Sequence, residues 1–197
     1  MIPASEALER LRDGNRRFVG GKLTSATSVN QAKRLELAAG QQPFAAVVAC
    51  SDSRVPVELL FDQGPGDLFV IRVAGNIAAP SQIGSVEYAA AHLGTRLVVV
   101  LGHSNCGAVD AAMQEVAKRQ SLQSPNLRAI VDRIRPALEP LGDVTLHDAV
   151  IANVRRSVDR LKHGSQVLEK MTEAGELKVV GAEYSIESGE VTFLDDQ

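Results

Sequence analysis

Long apolar runs are missing from this chain of 197 residues. The longest, residues 44–50, falls far short of the roughly 20 apolar residues that a membrane-spanning helix needs. The opening stretch MIPASEALERLRDGNRRF has no apolar centre of the kind a secretory signal carries, so the expected location is cytoplasmic, with no membrane partner. A positive excess is missing too. Lys and Arg number 21 against 24 Asp and Glu, a net charge of -3, which argues against a nucleic-acid surface. The pairs Arg16-Arg17 and Arg155-Arg156 read as solvated helix faces. Cysteine is scarce, with 2 in the chain and no CxxC pair, which removes the thiol-redox reading. A reducing compartment also removes a disulfide as the default. Two cysteines in such a chain are ordinarily small buried hydrophobes, so their positions must say otherwise.

What is present is an ordinary globular composition, 45% hydrophobic, with length enough for one domain and a sizeable core. Leu8, Leu11 and Phe18 share one side of an expected helix at 4–18. Residues 19–28 read as a loop. Asn30 then caps a second expected helix that runs to 39 and ends at Gly40. The apolar runs 44–49, 67–73 and 96–101 read as buried strands, with a helix at 81–93 closed by Gly94. Helical patterns follow at 108–119, 125–138 and 146–171, with breaks expected near Pro136 and Pro140. Residues 177–186 and 190–194, joined through Glu187-Ser188-Gly189, read as a hairpin. Strands that alternate with helices predict an α/β fold with a mostly parallel central sheet flanked by helices. No repeat, linker or low-complexity tract divides the chain.

Two of the expected strand ends carry unusual chemistry. One opens into Cys50-Ser51-Asp52-Ser53-Arg54-Val55-Pro56, the other into Gly102-His103-Ser104-Asn105-Cys106-Gly107. In a parallel sheet the C-terminal ends of the strands share one edge, where ligands bind. Cys50, His103 and Cys106 can therefore meet, and both cysteines of the chain are used in one place. Two thiolates and an imidazole suit zinc, and three protein ligands leave the open position of a catalytic site. Asp52 is near enough to offer a fourth oxygen. Arg54 can instead grip its carboxylate through two parallel hydrogen bonds, which keeps Asp52 charged and off the metal. Read blandly, His103 is a polar residue at a helix start and Asp52 an N-cap for the turn after it.

CSDSRVP at 50–56 and GHSNCGAV at 102–109 resemble the two signature segments of the β-class carbonic anhydrases. FVIRVAGNI at 69–77, SVEYAAAHLG at 85–94 and GAEYSIESGEVTFL at 181–194 resemble other stretches of that family, so the likeness runs from Gln41 to the end. The resemblance implies one zinc ion (Zn2+) per chain on Cys50, His103 and Cys106. It implies a catalytic dyad of Asp52 and Arg54, with Asp52 a fourth ligand in an inactive state. It implies a substrate pocket of Gln41, Phe69, Ala74, Tyr88 and Gly107, the phenylalanine and tyrosine arriving from a partner subunit. The activity it implies is reversible hydration of carbon dioxide to bicarbonate through zinc-bound hydroxide. It also implies a homodimer or homotetramer in which residues 1–40 form an embracing helical arm and 41–197 the zinc-binding core.

Two positions depart from the family's habits. Ala74 is smaller than many relatives have there. Val47 stands where one subgroup carries the tryptophan of a regulatory bicarbonate site, and this chain has no tryptophan, so that site is not expected in its known form. Among the remaining histidines, His92 is a candidate proton shuttle, and His147 and His163 read as surface or core residues. The competing readings are a relative that hydrolyses carbonyl sulfide or carbon disulfide at the same site, and a zinc-stabilised dimer that binds bicarbonate without turning it over.

Overall fold

The computed structural model describes residues 1–24, 30–118 and 124–194. Five strands form one sheet in the order β2-β1-β3-β4-β5. They are β1 (Ala45–Ala49), β2 (Leu68–Arg72), β3 (Leu97–His103), β4 (Lys178–Tyr184) and β5 (Val191–Phe193). β1 pairs in parallel with both β2 and β3, and β3 pairs in parallel with β4. Only β5 is antiparallel, closing the expected hairpin against β4. Every residue of β1 and β3 is buried, as a central strand covered on both faces requires.

The helices are α1 (Ala4–Val19), α2 (Gln31–Ala38), α3 (Val57–Leu60), α4 (Pro80–Ala91), α5 (Gly107–Val116), α6 (Pro125–Leu138), α7 (Leu146–His163) and α8 (Gln166–Glu173). Side chains alternate across β1 and β3, which sorts them between two packed layers. Val47, Ala49, Val99 and Leu101 meet α1 and α3 on one face. Val48, Val98 and Val100 meet α4, α7 and α8 on the other. A third cluster caps the C-terminal edge, where Ile77, Val109, Ile134 and Val150 surround Cys50 and Cys106.

α1 buries Ala7, Leu8, Leu11, Gly14 and Asn15, a helical stripe at the expected spacing. A Cβ on Gly14 would lie 1.8 Å from the Phe61 carbonyl oxygen, so only glycine lets α1 approach this closely. Asn30 caps α2 as expected, its side chain accepting from the Lys33 N–H. α2 buries none of its residues, and Leu35 is 68% exposed.

Two helical expectations need correction. α6 runs through Pro136 to Leu138 with no break there. Proline this close to a helix end removes one intrahelical hydrogen bond, while Val131, Ile134, Ala137 and Leu138 stay buried. The break expected near Pro140 is there: α6 ends at Leu138, residues 139–141 form a turn, and Gly142 follows with φ +72. The single helix expected over 146–171 is two, α7 and α8, with the break at Gly164-Ser165. Ser165 caps α8 by accepting from the Leu168 N–H and donates to Glu87 at 2.5 Å. The loop at 19–28 and the helix at 108–119 extend in part outside the described residues. No helix among the described residues is long and apolar enough to cross a membrane.

Candidate metal centre

Adjacent parallel strands bring the centre together. Ala49 lies opposite Leu101, so Cys50, just past β1, and His103, the last residue of β3, emerge at the same sheet edge. Asn105, with φ +57, turns the chain back so that Cys106 becomes the N-cap of α5. The two sulfurs and a ring nitrogen of His103 lie within 4.8 Å of one another, and all three residues are buried. The Nδ1 of His103 sits 2.9 Å from the Ser104 carbonyl oxygen. A carbonyl only accepts, so Nδ1 carries the proton and Nε2 keeps its lone pair. That Nε2 is buried without a hydrogen-bond partner. A buried polar atom left bare is costly, and a cation between this nitrogen and the two sulfurs would satisfy it. The donor set fits zinc.

The thiols are unequal. The Cys50 sulfur has its pKa lowered to about 4, chiefly by the Cys106 thiol donating to it, with His103 and the Gly75 and Asp52 amides adding to the effect against the cost of burial. Those amides lie 3.3 and 3.4 Å from the sulfur. Cys106 is pushed up, first by that same bond to Cys50 and then by burial. A dication would remove the conflict by stabilising both thiolates. Burial works against a charged His103, but the nearby Cys50 sulfur and its negative charge outweigh it and raise its pKa.

Asp52 and Arg54 form the expected pair. Arg54 Nε and Nη2 donate to the two carboxylate oxygens at 2.9 and 2.7 Å, and the Arg54 backbone N–H donates to Oδ1 at 2.9 Å. These bonds, led by the side-chain contact, hold the Asp52 carboxyl well below the usual carboxylate range. The N-cap of α3 is Pro56, so Asp52 is no helix cap. Its Oδ2 sits 3.9 Å from His103 Nε2, beside the triangle of ligands. Arg54 also donates to the Asn105 carbonyl oxygen at 3.3 Å, tying the two loops together.

The expected pocket residues divide into two sets. Gly107 is the first residue of α5, and a Cβ there would meet nothing within 4 Å. Ala74 starts the short 3-10 turn Ala74–Asn76 that delivers the Gly75 amide to Cys50. Gln41, Phe69 and Tyr88 stand apart. Gln41 lines a cleft with Leu37, Pro65 and Asp67, at the N-terminal edge of the sheet. Phe69 lies opposite Ala46, four residues before Cys50 and so about 13 Å back along the strand. Tyr88, 48% exposed, stacks beside Phe69 at 6.2 Å between ring centroids, and His92 follows at 5.3 Å. His147 and His163 are exposed and face carboxylates.

Sequence reasoning missed Arg72, Gly75 and Ser104. Gly75 takes φ +73, and a Cβ there would lie 2.8 Å from Ile134. A glycine inside an otherwise apolar run was the available signal for it.

The family model described as carbonic anhydrase matches residues 45–191. Carbonic anhydrase 2 of Mycobacterium tuberculosis is 36% identical over 192 residues, covering 96% of this chain and 92% of that one. Among solved structures, the β-carbonic anhydrase CcaA superposes with a TM-score of 0.73 at 29% identity, over 96% of this chain and 95% of that one. A structure from the study of two tetrameric β-carbonic anhydrases of the filamentous ascomycete Sordaria macrospora shares the fold, with a TM-score of 0.70 at 23% identity over 96% of this chain and 97% of that one. The chain belongs to the carbonic anhydrase family, in its β class, the lyases that hydrate carbon dioxide.

Proposed function

We propose that Cys50, His103 and Cys106 hold one zinc ion, and that the chain converts carbon dioxide and water to bicarbonate and a proton with Asp52 and Arg54 as the catalytic pair. The observation that carries this reading is the buried, unpartnered His103 Nε2 between two thiols, with the Asp52 carboxylate 3.9 Å away. When bound, zinc supplies Lewis acidity that brings the ionisation of water near neutral pH, about 7 being the reference value from a three-histidine carbonic anhydrase.

The chain's own residues do the rest. Two thiolates offset the charge of a dication, which raises the value of an acceptor placed next to it. Asp52 accepts a hydrogen bond from the attacking water and turns its lone pair toward the carbon. Arg54 keeps Asp52 charged and fixed, and its grip keeps the carboxylate from becoming a fourth ligand. As negative charge grows on the oxygens of the substrate, the Gly107 amide donates to it. Ala74 leaves apolar room for a molecule with neither charge nor dipole.

Gln41, Phe69 and Tyr88 serve the pocket across a subunit boundary. Their distance from the Cys50 of their own chain supports this, since a single chain leaves them stranded. The arm at 1–40 embraces the partner, and the core at 41–197 carries the metal. α2 supports that division because it buries nothing within its own chain. Dimers of this kind can pair again, as the Sordaria macrospora enzymes are tetrameric.

Stopped-flow hydration of carbon dioxide, with zinc counted on the same sample, tests the proposal. The expected result is one zinc per chain with fast turnover, and loss of both in Cys106→Ser. Full zinc with no hydration between pH 6.5 and 9 would overturn it.

A further inference from the structure

Arg72 ends β2 opposite Ala49, and its side chain reaches past the end of β1 into the loop that carries Cys50 and Asp52. Its Nε donates to the Cys50 carbonyl oxygen at 3.0 Å and its Nη2 to the Asp52 carbonyl oxygen at 2.6 Å. Between those two carbonyls, the Ser51 N–H donates to the Val73 carbonyl oxygen at 3.3 Å. The end of β2 therefore fixes the backbone on both sides of Ser51. The same short loop must aim a sulfur from Cys50 and a carboxylate from Asp52 at one point, and rotation of either peptide would turn them apart.

We propose that Arg72 is a positioning residue for the centre: its guanidinium holds the carbonyls of Cys50 and Asp52 together so that the metal-facing sulfur and the water-facing carboxylate stay in register. The proposal rests on the function assigned to the site above. Arg54 has a different task, since it grips the Asp52 side chain and not the backbone under it. Two donors on one rigid plane match two carbonyls two residues apart. A lysine ammonium is a single point on a flexible stem and cannot set both. Arg72 is exposed, so shortening it opens no cavity in the core.

The test uses the zinc-loaded enzyme with Arg72→Lys and Arg72→Leu, and Lys170→Ala on the exposed face of α8 as a control. Three quantities are read: the melting temperature, kcat and KM for carbon dioxide, and the rate of zinc release to a chromogenic chelator. The expected result is that Arg72→Lys melts with the wild type, yet both Arg72 variants lose at least tenfold in kcat with KM held within twofold. Zinc release is expected to be several-fold faster in both. Unchanged kcat and release rate in Arg72→Leu would overturn the proposal. So would a kcat loss that tracks the melting temperature and is fully restored by lysine, because Arg72 would then be structural only. A wild type that binds zinc but hydrates nothing would sink the assigned function instead, and the release rates would still report on Arg72.

Discussion

Replacing Asp52 with asparagine removes one charge and reverses one hydrogen bond while leaving the side chain's shape alone. The carboxylate accepts from Arg54 at three places, 2.9, 2.9 and 2.7 Å. Asparagine keeps an acceptor at Oδ1 but sets an NH2 donor where Oδ2 faced Nη2. Two donors at such a distance repel, so the guanidinium swings out and its bond to the Asn105 carbonyl oxygen is lost with it. On the reacting side, the oxygen that accepts from water becomes a donor and holds the water in the wrong orientation. A hydrogen bond to a charged group is worth about 1.5–3 kcal/mol. At about 1.4 kcal/mol per tenfold, losing one that acts in the transition state lowers kcat roughly 10- to 150-fold. Zinc content stays at wild-type level, since Asp52 is held off the ligand triangle by Arg54. Stopped-flow hydration of carbon dioxide, with zinc assayed on the same sample, reads both quantities. An Asp52→Asn variant with full zinc and full kcat would refute the dyad, and a loss of turnover explained by loss of zinc would move Asp52 into metal retention.

Cys50→Ala and His103→Ala each remove a ligand, and both are expected to purify with well under one zinc per chain by metal analysis. Retention of full zinc in either would show that the metal sits elsewhere. Gly75→Ala puts a Cβ 2.8 Å from Ile134 at φ +73 and disturbs the amide that donates to Cys50. A cost of about 1–3 kcal/mol is expected from the strained backbone, read as a lower denaturation midpoint, together with weaker zinc retention. The buried Asp62 gives a pH prediction. Burial opposes its charge, but hydrogen bonds from Arg17 and from the Thr24 amide and hydroxyl win and hold its pKa below the ordinary value. A carboxyl depressed in the fold adds stability that is fully present above its unfolded pKa of about 3.9 and is lost as pH falls through the lower folded value. Thermal melts of Asp62→Asn and the wild type are therefore expected to differ at pH 7 and to converge below pH 4, and a gap independent of pH would contradict this.

The cluster of Cys50, His103 and Cys106 was readable because chemistry and topology coincide there. Cys50 and His103 each follow an apolar run, and parallel strands bring such ends to one edge. The Asp52–Arg54 ion pair was readable too, since the two are two residues apart and complementary. Arg72 was hidden because its role is to hold backbone, and no residue pattern marks a carbonyl that needs a donor. Pro136 misled because the rule against proline inside a helix weighs one lost hydrogen bond, while four buried neighbours decide the outcome at α6. The Gly164-Ser165 break was missed because Leu161 and Leu168 keep the apolar spacing across it. Periodicity cannot see a serine that caps the next helix. Gln41 shows the limit of registration along a chain: its place relative to Cys50 was legible as a count of residues, but not that β1 carries the two to opposite edges of the sheet.

The central claim is that zinc sits on Cys50, His103 and Cys106. X-ray absorption at the zinc edge of the active wild-type enzyme tests it most directly. The account predicts two sulfur neighbours at about 2.3 Å and nitrogen or oxygen neighbours at about 2.0–2.1 Å. A first coordination sphere with no sulfur would contradict it. So would one with more than two, because this chain has only 2 cysteines to give and the metal would then be shared between chains.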